Sequence, residues 1–475
     1  MEDILPTEIK ANICRYFNRR IDKKQLNRFR AVSKQWNTIS SKYRSESIVT
    51  LKGIDNPYST EEYAYFNDTD IKAYISNVRK IFIGTHNCGP PPETRILQAY
   101  PSLEEITVQY TDVNASFLFN LLALNKHVKG LKLIETTTQG LEIFKRISFK
   151  QLTSLYIFMY QDVPISIDIL DHFENLENLD LHCFEFIINN PNQRKTYPKL
   201  QHAKIASSFV HQPGKMPNIN QISKVLPNLK LFDYTVGILY RGEEYRTIYK
   251  ECFECLPPPN SYSPTTALPF ELLTELAVPY LTKSFARVID KHFPNLESLK
   301  ILMITSMDNE ALDAIKYLLV NSNFPRLKQF KISQGILDSF NPLNVEGIFC
   351  SGTPPISGPN FIQTRIRSIT NLSFGHSSLS SNILFAISQF SKLEKLYLQL
   401  RNFDSIERVA ATTRCESLVI LELGTRGQVD MSVVVPALIK IFPNLRVLKL
   451  RFQPRKLSKS IKARYPNISF ICDLL

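Results

Sequence analysis

Residues 176–181 read LENLDL, with leucine at positions 176, 179 and 181. Leu179, Asp180 and Leu181 alternate apolar, polar and apolar, as in a short β-strand with one buried face. So short a strand cannot bury that face alone, because it has too few neighbours. The stretch therefore predicts a structural unit that is repeated along the chain and stacks on its own copies.

The pattern of residues 176–181 recurs with a period of mostly 24 to 25 residues. Each copy has an aliphatic anchor residue, two variable residues, an apolar residue, one variable residue and another apolar residue. The anchors are Val78, Leu103, Val128, Leu152, Leu176, Leu200, Leu229, Leu273, Leu296, Leu327, Ile369, Leu393, Leu418 and Leu445, with terminal variants at Ile48 and Ile468.

Between the anchors the sequence predicts a turn and a helix. Many anchors follow a bulky residue and a proline, as in Phe293-Pro294-Asn295, and proline ends one element and favours an extended start of the next. The bulky residue is expected to pack under the new turn. Apolar residues at helical spacing fill other intervals, as in residues 308–320. The repeat is thus a strand, a turn and a helix.

This pattern resembles the leucine-rich-repeat family over residues 46–475. The resemblance implies an α/β fold, a leucine-rich-repeat solenoid in the form of a curved horseshoe. A parallel sheet would line its concave face and helices its convex face. The Asn or Cys that the family places after the second strand leucine is mostly absent, so we expect an irregular horseshoe.

Two intervals are longer than the others: 44 residues from Leu229 to Leu273 and 42 from Leu327 to Ile369. The extra residues, near 236–268 and 334–366, are rich in Pro, Ser and Gly and indicate loops. Either they are surface insertions in long repeats, or each contains one degenerate copy of the repeat.

Residues 1–45 form a separate small module. The segment begins Leu5-Pro6-Thr7-Glu8-Ile9, has apolar residues at helical spacing, and contains the only tryptophan in VSKQWN, residues 32–37. The order of these elements resembles an F-box, a small all-helical domain. The resemblance implies that the module binds a Skp adaptor. The expected contacts are Leu5, Pro6, Ile9, Ile13, Val32 and Trp36, although Trp36 either contributes to that surface or packs inside the module.

An F-box followed by leucine-rich repeats is similar to the substrate receptors of SCF-type ubiquitin ligases. The resemblance implies a subunit that joins a cullin through the Skp adaptor, while the repeats bind an unknown protein to be ubiquitylated for degradation. One alternative is a leucine-rich-repeat interaction scaffold acting outside a ubiquitin ligase. A third hypothesis is a nucleic-acid binder, because residues 1–45 carry a net charge of +7 and residues 431–472 of +9, but the body between is almost neutral.

The sequence predicts neither an enzyme nor a cofactor. Phosphate-binding glycine loops and metalloprotease motifs are absent, and Cys252 and Cys255 have no second pair to complete a zinc site. No apolar run reaches the ~18 residues of a membrane helix. The acidic start MEDILPTEIK fits no signal or transit peptide, so we expect a cytoplasmic or nuclear protein.

The side chains between the apolar strand positions are expected to lie on the concave face and to bind the substrate. Their mixture of charge and exposed aromatic rings suits a protein or peptide better than a phosphate backbone. The candidates are Lys132, Tyr156, Phe158, Asp180, His182, Lys300, Lys331, Tyr397, Glu422, Lys449 and Arg451. The basic residues 451–466 are a second candidate, either as a grip for an acidic partner or as a polar cap on the last repeat.

Overall fold

A computed structural model of the chain describes most of the predicted repeats. The described residues are 49–51, 79–84, 99–109, 115–134, 149–159, 164–187, 195–207, 217–236, 252–253, 270–303, 309–321, 324, 326–334, 368–377, 387, 390–400, 406–412, 414–425, 430–451 and 459–472. The F-box-like segment 1–45 and most of both predicted insertions lie outside them. The chain divides into two compact units, Met1–Asn189 and Asn190–Leu475.

In the first unit, a parallel sheet is formed in chain order by all of the described strands except β6 and β8, which pair with each other. Its described helices are α1, Ala115–Leu124, and a 3₁₀-helix, Ile167–His172. The strands are β1 Val49–Leu51, β2 Lys80–Gly84, β3 Glu105–Gln109, β4 Gly130–Ile134, β5 Ser154–Phe158, β6 Pro164–Ser166, β7 Asn178–Cys183 and β8 Glu185–Ile187.

The second unit repeats the arrangement with a parallel sheet in chain order. Its described strands are β9 His202–Ser207, β10 Leu231–Val236, β11 Glu275–Val278, β12 Ser298–Met303, β13 Gln329–Gln334, β14 Asn371–Ser377, β15 Lys395–Leu400, β16 Ile420–Thr425, β17 Val447–Leu450 and β18 Ser469–Cys472. Its described helices are α2 Ile219–Val225, α3 Lys283–His292, α4 Asn309–Asn321, α5 Ile406–Thr412, α6 Met431–Ile441 and α7 Lys459–Arg464.

The strands lie where the repeat pattern predicted them. A strand begins two residues after each anchor from Val78 to Leu445, and β1 and β18 follow the terminal variants. Equivalent residues are register partners, as Leu131 is of Leu155. Alternate strand residues such as Ile106 and Val108 are fully buried. Each unit is therefore an α/β leucine-rich-repeat solenoid, as the sequence predicted.

The strand order also shows how the two long intervals are accommodated. Leu231 of β10 pairs directly with Glu275 of β11, and Gln329 of β13 pairs directly with Asn371 of β14. No additional strand stands between the members of either pair. A degenerate repeat with its own strand is therefore not inserted in the sheet at either place.

The bulky residue three positions before an anchor is buried in most described repeats, as predicted, while Tyr197 and Tyr465 are half-buried. The backbone N–H of the anchor donates to its carbonyl, with an N···O distance of 3.1 Å for Leu103 and Tyr100. In the second unit Phe270 lies between the rings of Phe232 and Phe293, with centroids 5.8 and 5.3 Å away. Its φ of 58° is in the left-handed region, which is costly for a residue with a side chain, and the two ring contacts oppose that cost.

Asparagine side chains at the position between the turn proline and the anchor tie successive repeats of the second unit together. Each follows the turn proline and donates its Nδ2–H to a backbone carbonyl of the preceding repeat: Asn228 to Pro198 at 2.8 Å, and Asn444 to Glu416 at 2.7 Å. Asn295 repeats the bond at 2.8 Å and accepts one from the Arg326 guanidinium. These bonds therefore link the turn of one repeat to the turn of the repeat before it.

We predict that Asn444→Ala lowers the free energy of unfolding by about 1 kcal/mol, because one hydrogen bond between repeats is lost. Urea denaturation would measure the change. Asn467→Ala is the matched control, since Asn467 also follows a turn proline and makes no such bond among the described residues. Equal losses for the two variants would contradict a role for the bond.

Candidate protein-binding surface

The strand register places the predicted substrate-binding residues in rows on the sheet face that is not buried, here called the open face. In the first unit Lys132 pairs with Tyr156, and Tyr156 with Asp180. In the second unit the corresponding row includes Lys300 and Lys331. Equivalent positions are side by side because every repeat presents the same strand residues in the same direction.

The open face of the first unit carries an aromatic patch, defined as Tyr156, Phe158 and His182. The His182 ring lies 6.0 Å from the Tyr156 ring and 5.5 Å from the Phe158 ring, centroid to centroid. Its Nε2 atom is 3.0 Å from Oδ1 of Asp180. All four side chains are partly exposed. Partly exposed rings with a polar edge can bury apolar area against a partner while keeping their hydrogen bonds.

Charges beside the aromatic patch are locally balanced. Glu105 lies between two lysines, with N···O distances of 3.1 Å to Lys132 and 3.3 Å to Lys80. This part of the open face carries two basic residues, Lys80 and Lys132, and two acidic residues, Glu105 and Asp180. The surface of the first unit is thus aromatic and nearly neutral.

The open face of the second unit has a different character. Its described strands, with Arg451 directly after β17, carry six basic residues and three acidic ones. The basic residues are Lys204, Lys300, Lys331, Lys395, Lys449 and Arg451, and the acidic ones are Asp233, Glu275 and Glu422. The described part of this face is therefore positively charged.

One end of this face contains a stacked arginine. The Arg451 guanidinium lies 5.2 Å from the centre of the Tyr397 ring and forms an ion pair with Glu422, which is the register partner of Lys449. Burial raises the pKa of the Tyr397 hydroxyl above its ordinary value, Arg451 opposes that shift and Glu422 adds to it. Tyr397 is therefore neutral at physiological pH and can donate a hydrogen bond.

The other predicted sites are only partly described. Helix α7 presents Lys462 and Arg464 to solvent, whereas Arg455 and Lys456 lie outside the described residues. So do all six predicted adaptor contacts: Leu5, Pro6, Ile9, Ile13, Val32 and Trp36.

Among the residues that the structure describes, no group of three or more His, Cys, Asp or Glu side chains is arranged to hold a metal ion. Cys252 is buried, and its sequence neighbour in the predicted pair, Cys255, is not described. Within the same described ranges, no helix combines the length and apolar character needed to cross a membrane.

Comparison with known proteins gives structural similarity without sequence similarity. No protein-family model and no curated protein sequence matches the chain. Among solved structures, a leucine-rich-repeat protein of Leptospira interrogans is 14% identical over 84% of this chain and 91% of its own, with a TM-score of 0.36. A chain of the mouse RP105/MD-1 complex is 14% identical over 84% of this chain and 68% of its own, with a TM-score of 0.38.

Proposed function

We propose that this chain is the substrate-recognition subunit of an SCF-type ubiquitin ligase, acting in the cytoplasm or nucleus. Residues 1–45 bind a Skp adaptor and through it a cullin, and the repeats bind the protein to be ubiquitylated. The observation that carries the proposal is the F-box-like order of Leu5-Pro6, Ile9 and Val32 to Trp36 directly before a leucine-rich-repeat array.

The open faces support the protein-binding half of the proposal. Tyrosine and arginine are enriched where protein interfaces gain most of their binding free energy, and the faces present Tyr156, Tyr397 and Arg451 on a sheet. The sheet holds these side chains in fixed positions, which lowers the entropic cost of binding. In this function the chain supplies no chemistry of its own and raises the local concentration of substrate beside the transferring enzyme.

The test is co-purification of the full chain with a Skp adaptor. We expect the wild-type chain to retain the adaptor and the variant Leu5→Ala/Pro6→Ala to lose it, because two apolar contacts are removed from a small interface. Leu124→Ala, which shortens an exposed apolar side chain in the repeats, is the matched control and should retain the adaptor. Circular dichroism and urea unfolding would show that each variant is folded.

Two outcomes would overturn the ligase role. If the wild-type chain does not bind the adaptor, a leucine-rich-repeat interaction scaffold outside a ubiquitin ligase becomes the better account. If the double variant unfolds more easily yet still binds the adaptor, residues 1–45 contribute to stability and the adaptor contacts lie elsewhere.

A further inference from the structure

We propose that Lys300 and Lys331, here called the lysine pair, bind an acidic segment of the protein partner, rich in Asp and Glu. The inference rests on the proposed function only in taking the partner to be a substrate protein. Its physical basis is the charge arrangement on the open face of the second unit.

The two lysines are side by side on neighbouring strands. Lys300 of β12 is the register partner of Lys331 of β13, so their Cα atoms are about 4.8 Å apart, the spacing of adjacent strands. Like charges at neighbouring positions on one sheet face repel each other and destabilise the sheet. A carboxylate bound between them would remove that repulsion.

Carboxylates of the chain itself satisfy the lysine pair only in part. Glu275 approaches Lys300 at 3.7 Å, while 40% of the Lys300 side chain is exposed. Among the described residues no carboxylate forms an ion pair with Lys331. By contrast, Lys328 has its partner Glu297 at 2.9 Å. Lys331 thus has no carboxylate partner within the described chain, as is also true of Lys395 and Lys449, but among these three only Lys331 is the register partner of another lysine.

The surroundings of the lysine pair are small or neutral. Ala277 precedes Lys300 in the row and Ser373 follows Lys331, so neither neighbour blocks the approach of a ligand backbone. The hydroxyl of Ser298 lies 3.4 Å from the amide oxygen of Gln329, at the start of the same two strands. The exposed amide group of Gln329 can donate a hydrogen bond to a ligand, whereas the buried Ser298 hydroxyl donates to that amide oxygen.

An acidic residue, Asp233, bounds the lysine pair on one side. Asp233 on β10 stands two strand spacings, about 10 Å, from Lys300 on β12 and would repel an anion that extended over it. On the other side Glu422 is already paired with Arg451. An extended run of three or four acidic residues spans about 10 to 14 Å, which is enough to cover both lysines.

The experiment uses the full chain bound to its adaptor, or the chain alone if no adaptor binds. The probe is the fluorescein-labelled peptide Gly-Ser-Glu-Glu-Glu-Glu-Ser-Gly, followed by fluorescence anisotropy at physiological salt. Replacing its four glutamates with glutamine gives the uncharged control peptide. We expect the acidic peptide to bind and the glutamine peptide to bind at least about ten-fold more weakly, since ion pairs are lost.

The matched variants remove equal charge at two places. Lys300→Gln/Lys331→Gln is expected to weaken binding of the acidic peptide by about ten-fold, because two charge-assisted contacts disappear. Lys283→Gln/Lys291→Gln removes two exposed charges from α3 and should change binding less than about two-fold, through screened long-range attraction alone. Equal losses in the two double variants would overturn the proposal, because binding would then follow net charge.

A stability measurement separates binding from a structural role. Lys331→Gln should raise the urea midpoint of the free protein, because it relieves the repulsion within the lysine pair. The same variant should bind the acidic peptide more weakly. A lower midpoint would mean that Lys331 stabilises the fold, and the proposal would fail. Tighter binding of a phosphoserine peptide, lost in the Lys300/Lys331 variant, would assign the site to a phosphorylated ligand and overturn the carboxylate assignment.

The failure of this inference is distinguishable from that of the proposed function. Lys300→Gln/Lys331→Gln leaves residues 1–45 unchanged and should co-purify with the Skp adaptor as the wild type does. Peptide binding without adaptor binding would overturn the ligase role alone. Adaptor binding without peptide binding would overturn the lysine pair as an acidic site alone.

Discussion

Replacing Phe253 with alanine is expected to lower the free energy of unfolding of the second unit by about 4 kcal/mol, because a large buried ring is removed and a cavity remains. Phe253 is 0% exposed. Its ring centroid lies 5.4 Å from that of Tyr234 on β10 and 5.2 Å from that of Phe285 on α3. The Tyr234 hydroxyl in turn donates to the Pro217 carbonyl at 2.6 Å. A shift of the Tyr234 ring into the space left by Phe253 would disturb that bond.

The position of Phe253 makes this variant informative about the first long interval. The residue belongs to the segment between β10 and β11, yet it packs between a strand and a helix of the repeats. We infer that Phe253 anchors its segment to the core. Truncation should therefore loosen β10 and α3 first, with smaller effects on distant repeats, because each repeat contacts mainly its neighbours.

Amide hydrogen exchange of β10 and α3, together with urea unfolding, would measure this effect. Exchange is needed because a repeat array need not unfold in one step, so a single midpoint does not report on one repeat. Phe253→Leu is the matched control and should cost about 1 kcal/mol, since most of the volume is kept. Unchanged hydrogen exchange in Phe253→Ala would show that the ring does not stabilise β10 and α3.

The strands could be predicted from the sequence because each repeat contains the same short pattern of apolar residues. The anchor, the two alternating apolar residues and the preceding turn occur within about eight residues, so no distant contact is needed to find them. The period then fixes the register, because equal repeats stacked in parallel bring equivalent residues together. Leu131, Leu155 and Leu179 show this in three successive strands.

The contacts between repeats could not be predicted in the same way. Asn228 reaches the Pro198 carbonyl, 30 residues away, and Phe270 meets Phe232 across the first long interval. Such contacts depend on the translation and rotation that relate one repeat to the next, and the repeat pattern specifies neither quantity. The asparagine after the turn proline was visible in the sequence, but its acceptor was not.

The candidate surface was predicted as rows of residues, and its chemistry emerged from neighbours within the rows. The pattern placed Tyr397, Glu422 and Arg451 on one face, and the structure brings them into one stacked and ion-paired cluster. It also separates a neutral aromatic face in the first unit from a basic face in the second. The overall charge concealed this difference, because acidic residues elsewhere in the body balance the lysines.

Asn125 is a buried polar residue at a position where other repeats have an aromatic ring. It stands three residues before the anchor Val128, where other repeats have Phe149 or Phe173, and it is 0% exposed. Its Oδ1 accepts from the Tyr100 N–H at 2.7 Å, and its Nδ2 donates to the Leu121 carbonyl at 2.8 Å. One side chain thus ties the end of α1 to the turn of the preceding repeat.

We expect Asn125→Ala to lower the free energy of unfolding of the first unit by about 3 kcal/mol, because it removes two buried hydrogen bonds and takes the acceptor from the Tyr100 N–H. Asn125→Leu should not restore stability, although leucine fills the space, since the polar partners stay unsatisfied. Leu124→Ala, at a neighbouring side chain that is 48% exposed, should change it by less than about 0.5 kcal/mol. Urea unfolding of the three variants would decide: a stable Asn125→Leu would mean that this position requires only volume, as the aromatic positions do.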